Sequence, residues 1–416
     1  MQSAPRKPIL GMILLGAGYP RDIRVEKEAR ALIEAGYRVA LLTEARGPHT
    51  APQETTSWGL EIHRVPQPRP GRMERLRQIL TNDFAQAEPL IADFIRRVQP
   101  QALHVHDLPY VRTVQRVAAR YAIPVVADFH ENMPAAMYVY GCEKPWWQRP
   151  AYRWYNSVQR WKRWEAEAAR AAAAVVVVVP EAAEHLVRDA DVPAERITVV
   201  SNTDTESAIP AHPDRSLGDP WRGYFTAIYT GFYAPHRGLD TAIRAAGIVA
   251  RQRPTFRLLS VGAKNEQEVA WLRDLARRSG CGEAYEALLW QSESKIWSYV
   301  DGAAVGLVPH NRFEHTETTI PHKLFHFMLA GKPVIVSDCA PLKRVVEGTG
   351  AGLVHRANDP EDLARALIAM IDASDQQRLQ WGAAGRAAAQ GEYHWRHDAA
   401  RLVGLYRRLL GPGLVA

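Results

Sequence analysis

Residues 225–252 read FTAIYTGFYAPHRGLDTAIRAAGIVARQ. An apolar run without strict alternation, Phe225–Thr230, feeds a Gly-, Pro- and His-bearing loop, Gly231–Gly238, which opens an amphipathic helical pattern over Leu239–Gln252. A strand that does not alternate is buried on both faces, and such a strand running into a helix is the repeating unit of a parallel, helix-covered sheet. The unit recurs in both directions. Downstream, strands are expected at Phe256–Val261, Ala303–Val308, Pro333–Ser337 and Gly352–Val354, with helices over Gln267–Ser279, Lys323–Leu329 and Pro360–Ala373. Upstream, strands are expected at Ile9–Leu15, Val39–Leu42, Ala102–His106, Pro124–Asp128, Ala174–Val179 and Ile197–Val200, with helices over Ile23–Ala35, Val111–Tyr121 and Trp154–Ala172. Between the two sets, Asp204–Trp221 is rich in Pro, Asp and Gly and predicts a linker.

The chain has 416 residues, more than the ~250–300 that one core supports. The expected fold is therefore α/β, with two doubly wound, Rossmann-like domains at residues 1–203 and 204–394 and a terminal helical segment at 395–416. Two such domains face each other across a cleft lined by the carboxyl ends of their strands. The formal charge of +7 is carried mostly by arginine, which suits anionic substrates or an anionic surface. No block of like charge marks a nucleic-acid-binding tail, so no nucleic-acid partner is expected. Cys142, Cys281 and Cys339 are far apart and form no C-x-x-C, which argues against a disulfide framework or a zinc site and for a reducing, cytoplasmic setting. The first apolar run ends in Gly-Tyr-Pro-Arg-Asp and reads as a core strand rather than a signal peptide. The longest apolar run, Ala171–Pro180, is too short to span a bilayer.

Candidate site residues cluster where strands end. Gly16-Ala17-Gly18 follows the first strand, but Arg21 stands where a dinucleotide fingerprint has its third glycine. That leaves either a tight loop beside the cleft or a structural turn. His104, His106 and Asp107 close one strand, and His130 and Glu131 close the next. Polar groups at the carboxyl ends of buried parallel strands face the ligand crevice. Metal ligation stays open there, with no third ligand fixed by spacing. Arg237 precedes a helix, where a phosphate also meets free amides. Thr318-Thr319-Ile320-Pro321-His322-Lys323 enters another helix, either as ordinary cap chemistry or as a diphosphate seat. Asp189-Ala190-Asp191 reads as a solvated loop. Trp146–Trp164 holds five tryptophans and five basic residues. On one helix, Trp154, Val158 and Trp161 would share a face with Ala151, the pattern of an interfacial helix on anionic lipid, of a core helix, or of an acceptor wall.

Taken in order, these stretches resemble the GT-B glycosyltransferases of the family-4 type, over nearly the whole chain. GYPRDIRVEKEARALIEAGYRV is similar to the family's first loop and helix, and HVHDLP and ADFHE resemble two strand-end signatures. YTGFYAPHRGLDTAI resembles the donor-phosphate loop, and PHKLFHFMLAGKPVIVSD resembles the stretch usually written PNKLFEYMAAGKPVI. The resemblance implies retaining transfer from a nucleotide-activated sugar, with no required metal or other cofactor. It assigns Arg237 to the diphosphate and His130 to the donor sugar. Gly16, Gly18, Gly262, Thr318, Thr319, His322, Lys323 and His326 fall on the donor side, and His106, Asp107 and Glu131 on the acceptor side. It implies that Trp395–Leu410 crosses back to the first domain. The expected partners are a nucleotide sugar, a glycan or lipid-linked acceptor, and an anionic membrane face met through Trp146–Trp164, for a cytoplasmic protein peripheral on the inner face of the membrane.

Four positions depart from the family pattern. Phe232 stands for the first basic residue of the donor loop, Thr318 and His326 for the two glutamates of E-x7-E, and His322 for the Asn of P-N-K. Two other functions are therefore weighed: a GT-B nucleotide-sugar epimerase using the strand-end histidines, and a non-catalytic partner subunit.

Overall fold

The computed structural model describes residues 7–20, 22–47, 51–68, 70–210 and 214–411. The chain forms two compact units. The first runs to Ser201 and resumes at Asp398, and the second spans Asn202–His397.

The first unit is built on β1 (Ile9–Leu14), β2 (Arg38–Glu44), β3 (Gln53–Thr55), β4 (Glu61–Val65), β5 (Ala102–His106), β6 (Val125–Phe129), β7 (Ala174–Val177) and β8 (Ile197–Val199). Their order is β3-β4-β2-β1-β5-β6-β7-β8. All pairs are parallel except β3 on β4. Every residue of β5, β6 and β7 is buried, the two-faced burial expected of a helix-covered sheet. The second unit has β9 (Phe225–Thr230), β10 (Phe256–Ala263), β11 (Tyr285–Leu289), β12 (Val305–Val308), β13 (Val334–Ser337) and β14 (Gly352–His355). Their order is β11-β10-β9-β12-β13-β14, all parallel. The strand order reverses between β1 and β5 and between β9 and β12, where a doubly wound sheet opens a crevice at its carboxyl edge.

Helices start where the sequence supplies caps. Asp22 accepts from the amides of Arg24 and Val25 to open Ile23–Glu34, and Asn265 accepts from Glu268 to open Glu266–Arg278. One core packs Ile13, Phe94, Val111, Trp161 and Trp164, and the other packs Tyr229, Ile243, Phe256 and Leu367. Each such side chain contributes about 1.5–3 kcal/mol of transfer free energy.

β3, β4 and β11 went unrecognised because β3 is exposed and β4 and β11 mix buried with half-buried residues, so neither shows an unbroken apolar run. The helix expected over Trp154–Ala172 is two helices, Arg149–Tyr155 and Val158–Ala171. The Arg160 guanidinium holds the break by donating to the carbonyls of Trp154 and Tyr155 at 2.7 and 2.6 Å. Trp154 therefore shares no face with Trp161. Trp161 and Trp164 stack at 5.0 Å in the core, whereas Trp146, Trp147 and Trp154 are 80%, 64% and 64% exposed. The segment expected as a linker is docked in the second unit: the Asp204 carbonyl accepts from the Trp395 amide at 3.1 Å, and short 3-10 turns follow at Glu206–Ala208, Arg215–Leu217 and Asp219–Trp221. Asp189 lies in the last turn of helix Pro180–Ala190, held by His185 and Arg188, rather than in a loop. Asp191 caps that helix. Among the described residues, no helix is long and apolar enough to cross a membrane.

Candidate active site

In the second unit the loop after β9 is held by backbone contacts that only glycine allows. A Cβ on Gly262, at φ +131°, would lie 2.7 Å from the Gly231 carbonyl carbon, so the ends of β9 and β10 close on each other. A Cβ on Gly238 would lie 1.8 Å from the Pro309 oxygen, which seats the far end of the loop against the segment after β12. Two cations converge above Gly231: a Cβ there would be 3.1 Å from Arg237 Nη1 and 3.5 Å from Lys323 Nζ.

Arg237 ends a short 3-10 turn, one residue before Gly238 caps helix Leu239–Gln252. Its guanidinium lies 3.9 Å over the Phe232 ring, and Lys264 Nζ lies 4.4 Å from the same ring. Phe232 thus holds two cations by their attraction to its π face. Lys323 is 9% exposed, sits 3.9 Å over the Tyr229 ring and has no hydrogen-bond partner at Nζ. Burial, and then the Arg237 charge, push its pKa well below the usual lysine range. Behind the loop, the His236 ring packs against His310 and His315 at 6.4 and 5.0 Å. Burial and the nearby charges push His236 down to about 3.

The entry to helix His322–Leu329 differs from the expected cap. Pro321 is the cap residue, and the Thr318 and Thr319 hydroxyls donate backward to the carbonyls of Glu314 and His315 at 3.0 and 2.8 Å. Those threonines tighten the preceding turn. His322 opens the helix. His326 Nε2 lies 3.0 Å from an Asp204 carboxylate oxygen, with its ring 5.2 Å from Trp297. Its neighbours Phe325 and Phe327 are buried. Glu317 is committed to Arg312 and the Ala340 amide, each at 3.0 Å.

In the first unit the strand-end residues form a charge network around Asp128 of β6. Asp128 Oδ2 is approached by His130 Nε2 at 2.8 Å, His106 Nδ1 at 3.2 Å and His104 Nε2 at 3.3 Å. Arg24 Nη2 reaches Oδ1 at 3.0 Å and Glu28 at 3.0 Å, and His104 also meets Glu28 at 3.2 Å. Burial opposes charge on these histidines, but the carboxylates outweigh it. Asp107 and Asp128 push His130 up to about 10, and Asp128 and Glu28 push His104 up to about 9. His106 goes the other way, lowered by burial. Against the same burial, Arg24 and the histidines hold Asp128 well below the usual carboxylate range.

His130 is the member of this network that reaches the surface, 15% exposed. His106, expected on the acceptor side, is 1% exposed beneath it. Asp107, at φ +63°, stands 3.7 Å from His130 Nδ1 with its side chain a third exposed. Glu131 accepts from the Tyr140 hydroxyl at 3.2 Å. The Gly16 amide donates to Glu44 at 2.8 Å, and Gly18 packs on Arg46. Sequence reasoning missed Arg24, Glu28 and Asp128. Their signals were an i, i+4 ion pair on the first helix and a carboxylate inside the fully apolar run VVADF. Glu28, His104, His106 and Asp128 offer ligand atoms within 4.8 Å of one another, yet the Arg24 guanidinium already bridges both carboxylates, and a cation would have to displace it.

Residues 22–203 match the Glycosyl transferase 4-like domain, and residues 225–373 match Glycosyl transferases group 1. Sucrose-phosphate synthase from Thermosynechococcus elongatus superposes with a TM-score of 0.77 at 18% identity, over 97% of this chain and 99% of that one. The chain belongs to the GT-B glycosyltransferases. Anabaena HepE, in complex with UDP and glucose, superposes on this glycosyltransferase with a TM-score of 0.72 at 14% identity, over 96% and 100% of the two chains. A phosphatidyl-myo-inositol mannosyltransferase of Mycolicibacterium smegmatis is 25% identical over 93% of this chain and 89% of its own length. A D-inositol 3-phosphate glycosyltransferase of Acidothermus cellulolyticus is 26% identical over 56% of this chain, and the match spans 58% of that protein.

Proposed function

We propose that this glycosyltransferase moves a sugar, with retention, from a nucleoside-diphosphate sugar to a hydroxyl of a glycan or lipid-linked acceptor in cell-envelope synthesis. The observation that carries the reading is the convergence of Arg237 and Lys323 above Gly231, at the reversal point of the second sheet. Two cations over a loop closed by glycine backbone suit a diphosphate, whose charge grows as it leaves. His130, protonated and anchored on Asp128, is the donor toward the sugar. With the leaving diphosphate as base for the incoming hydroxyl, the reaction needs no carboxylate pair and no metal. The experiment is turnover of UDP-sugars in EDTA with product analysis. Release of nucleoside diphosphate dependent on acceptor supports the reading. Interconversion of sugars without acceptor, or activity lost in EDTA and restored by a divalent ion, contradicts it.

The acceptor reading extends to an anionic membrane face. Exposed Trp146, Trp147 and Trp154 stand near Lys144, Arg149 and Arg153, and helix Arg72–Thr81 exposes Met73, Leu76 and Leu80. Arg160 ties the two segments, donating to the Leu80 carbonyl at 3.2 Å as well as to Trp154 and Tyr155. An open groove of about 380 Å³ lined by Trp147, Ala151, Tyr152 and Tyr155 lies on the same surface. Aromatic rings with basic neighbours suit the headgroup level of an anionic bilayer. Flotation with anionic vesicles is expected to fall when Trp146, Trp147 and Trp154 become Ala, and unchanged flotation would remove the membrane from the account.

A further inference from the structure

The terminal helix Trp395–Leu410 contributes a side chain to the Asp128 network. From Asp398 on it belongs to the first unit. Asp398 accepts from the Ser201 amide at 2.7 Å, and Arg401 donates to the Val199 carbonyl at 2.8 Å, so the helix is pinned to the end of β8. Leu402, Leu405 and Tyr406 are buried. Apolar packing would be served equally by phenylalanine at 406, because a hydroxyl taken out of water is unfavourable unless bonded. The Tyr406 hydroxyl is bonded: it lies 2.7 Å from His104 Nδ1. His104 Nε2 then meets Asp128 Oδ2 at 3.3 Å, and the same oxygen meets His130 Nε2 at 2.8 Å.

We propose that Tyr406 is a positioning residue for His130, acting through His104 and Asp128. The inference rests on the reading of His130 as the group that faces the donor sugar. Its geometry is a run of hydrogen bonds from the tail helix to the carboxyl end of β6. With Nδ1 held by the tyrosine oxygen, the His104 ring has one orientation, and its Nε2 proton is fixed on the Glu28 and Asp128 carboxylates. The remaining groups around the relay are Arg24 and Glu28 from the first helix, His106 from β5, and Asp22 and Asp107 beside His130. Tyr37 packs 6.1 Å from the Tyr406 ring.

Removing the hydroxyl leaves a buried, charged Nδ1–H without an acceptor. His104 then loses its proton more easily, and Asp128 loses one of the cations that fix it. The test is Tyr406→Phe in the full chain, read by nitrogen-15 NMR of the histidine rings and by steady-state kinetics. The expected results are a His104 titration midpoint lowered by at least one pH unit, a shifted pH–rate profile, kcat lowered about tenfold, the scale of one hydrogen bond to a charged group, and donor KM within about twofold. A lowered Tm with unchanged histidine titration and kcat would assign Tyr406 to packing alone and overturn the proposal. A wild-type measurement decides the matter should the variant fail to fold: the ring spectrum must show a cross-peak joining His104 Nδ1 to the Tyr406 hydroxyl, and its absence overturns the relay. His130→Ala separates the two readings. Near-wild-type kcat in that variant would end the role of His130, whereas the effect of Tyr406→Phe on His104 titration stands or falls independently.

Discussion

Lys323 is a buried amine whose neighbour is the Arg237 cation. Its Nζ has an aromatic face and no hydrogen-bond acceptor, and burial and Arg237 hold its pKa well below the usual range. A diphosphate arriving above Gly231 supplies the missing negative charge and raises that pKa. Binding of UDP at pH ~8, above the second ionisation of a phosphate at ~6, is therefore expected to take up a fraction of a proton. Calorimetry in buffers of different ionisation enthalpy measures it, and Lys323→Met should abolish the uptake. Uptake that persists in Lys323→Met would move the titrating group elsewhere. Arg237 was legible in the sequence because its loop has a recognisable spacing. Lys323 was placed on the same donor side by the resemblance, whereas the close approach of Gly262 to Gly231 at the ends of β9 and β10 was not legible, because spacing along the chain does not encode a contact between strand ends.

At the scale of elements, helix His322–Leu329 shows where family pattern and local chemistry part. Its His326 stands at a glutamate position of the family, and the structure pairs it with Asp204 at 3.0 Å. Restoring the family residue would set two carboxylates side by side in a site where Asp204 is 7% exposed. His326→Glu is expected to lose at least ~1.5 kcal/mol of stability, the lower end for a hydrogen bond to a charged group, read as a fall in Tm. His326→Gln, which keeps a donor for Asp204, should retain most of it. Equal stability of His326→Glu and wild type would dissolve the pair. The strand ends carrying His104, His106 and His130 were legible as a cluster, since polar residues closing buried parallel runs are conspicuous. Which of them faces outward was not, because His106, the last residue of β5, is buried like His104, and Asp128 lies inside an apolar run. The aromatic segment was misread for a related reason: helical periodicity cannot see the break at Asn156–Ser157, which Arg160 holds through backbone carbonyls.

Across the whole molecule the two units carry opposite titration signatures. In the first, carboxylates raise His104 to about 9 and His130 to about 10. In the second, burial pushes His236 down to about 3. A folded-state pKa above the unfolded ~6.5 gives stabilisation that is complete below that pH and lost as pH rises toward the folded value. As pH rises from ~6.5 toward those folded values the first unit should therefore lose stability, with both histidines contributing to the loss. His236 contributes nothing to a loss in that window, since a folded value below the unfolded one cannot cost stability as pH rises. Hydrogen exchange in the full chain, corrected for the intrinsic pH dependence, should show core amides of β5 and β6 opening more readily at pH 8.5 than at 6.5, with those of β9 and β12 changing less. The reverse order would contradict the electrostatic reading of the Asp128 network. The alternation of strands and helices gave away both sheets from the sequence, whereas β3, β4 and β11, exposed or half-buried and without continuous apolar runs, were invisible to it.

The central claim is that Arg237 and Lys323 together hold the diphosphate of the donor. Calorimetric Kd values for UDP with wild type, Arg237→Ala, Lys323→Met and the double variant test it most directly. The account predicts at least tenfold weaker binding for each single variant, about 1.4 kcal/mol, and a double variant weaker by less than the product of the two, because neighbouring cations on one ligand are coupled. Unchanged Kd in folded Arg237→Ala and Lys323→Met proteins would place the diphosphate elsewhere and contradict the account.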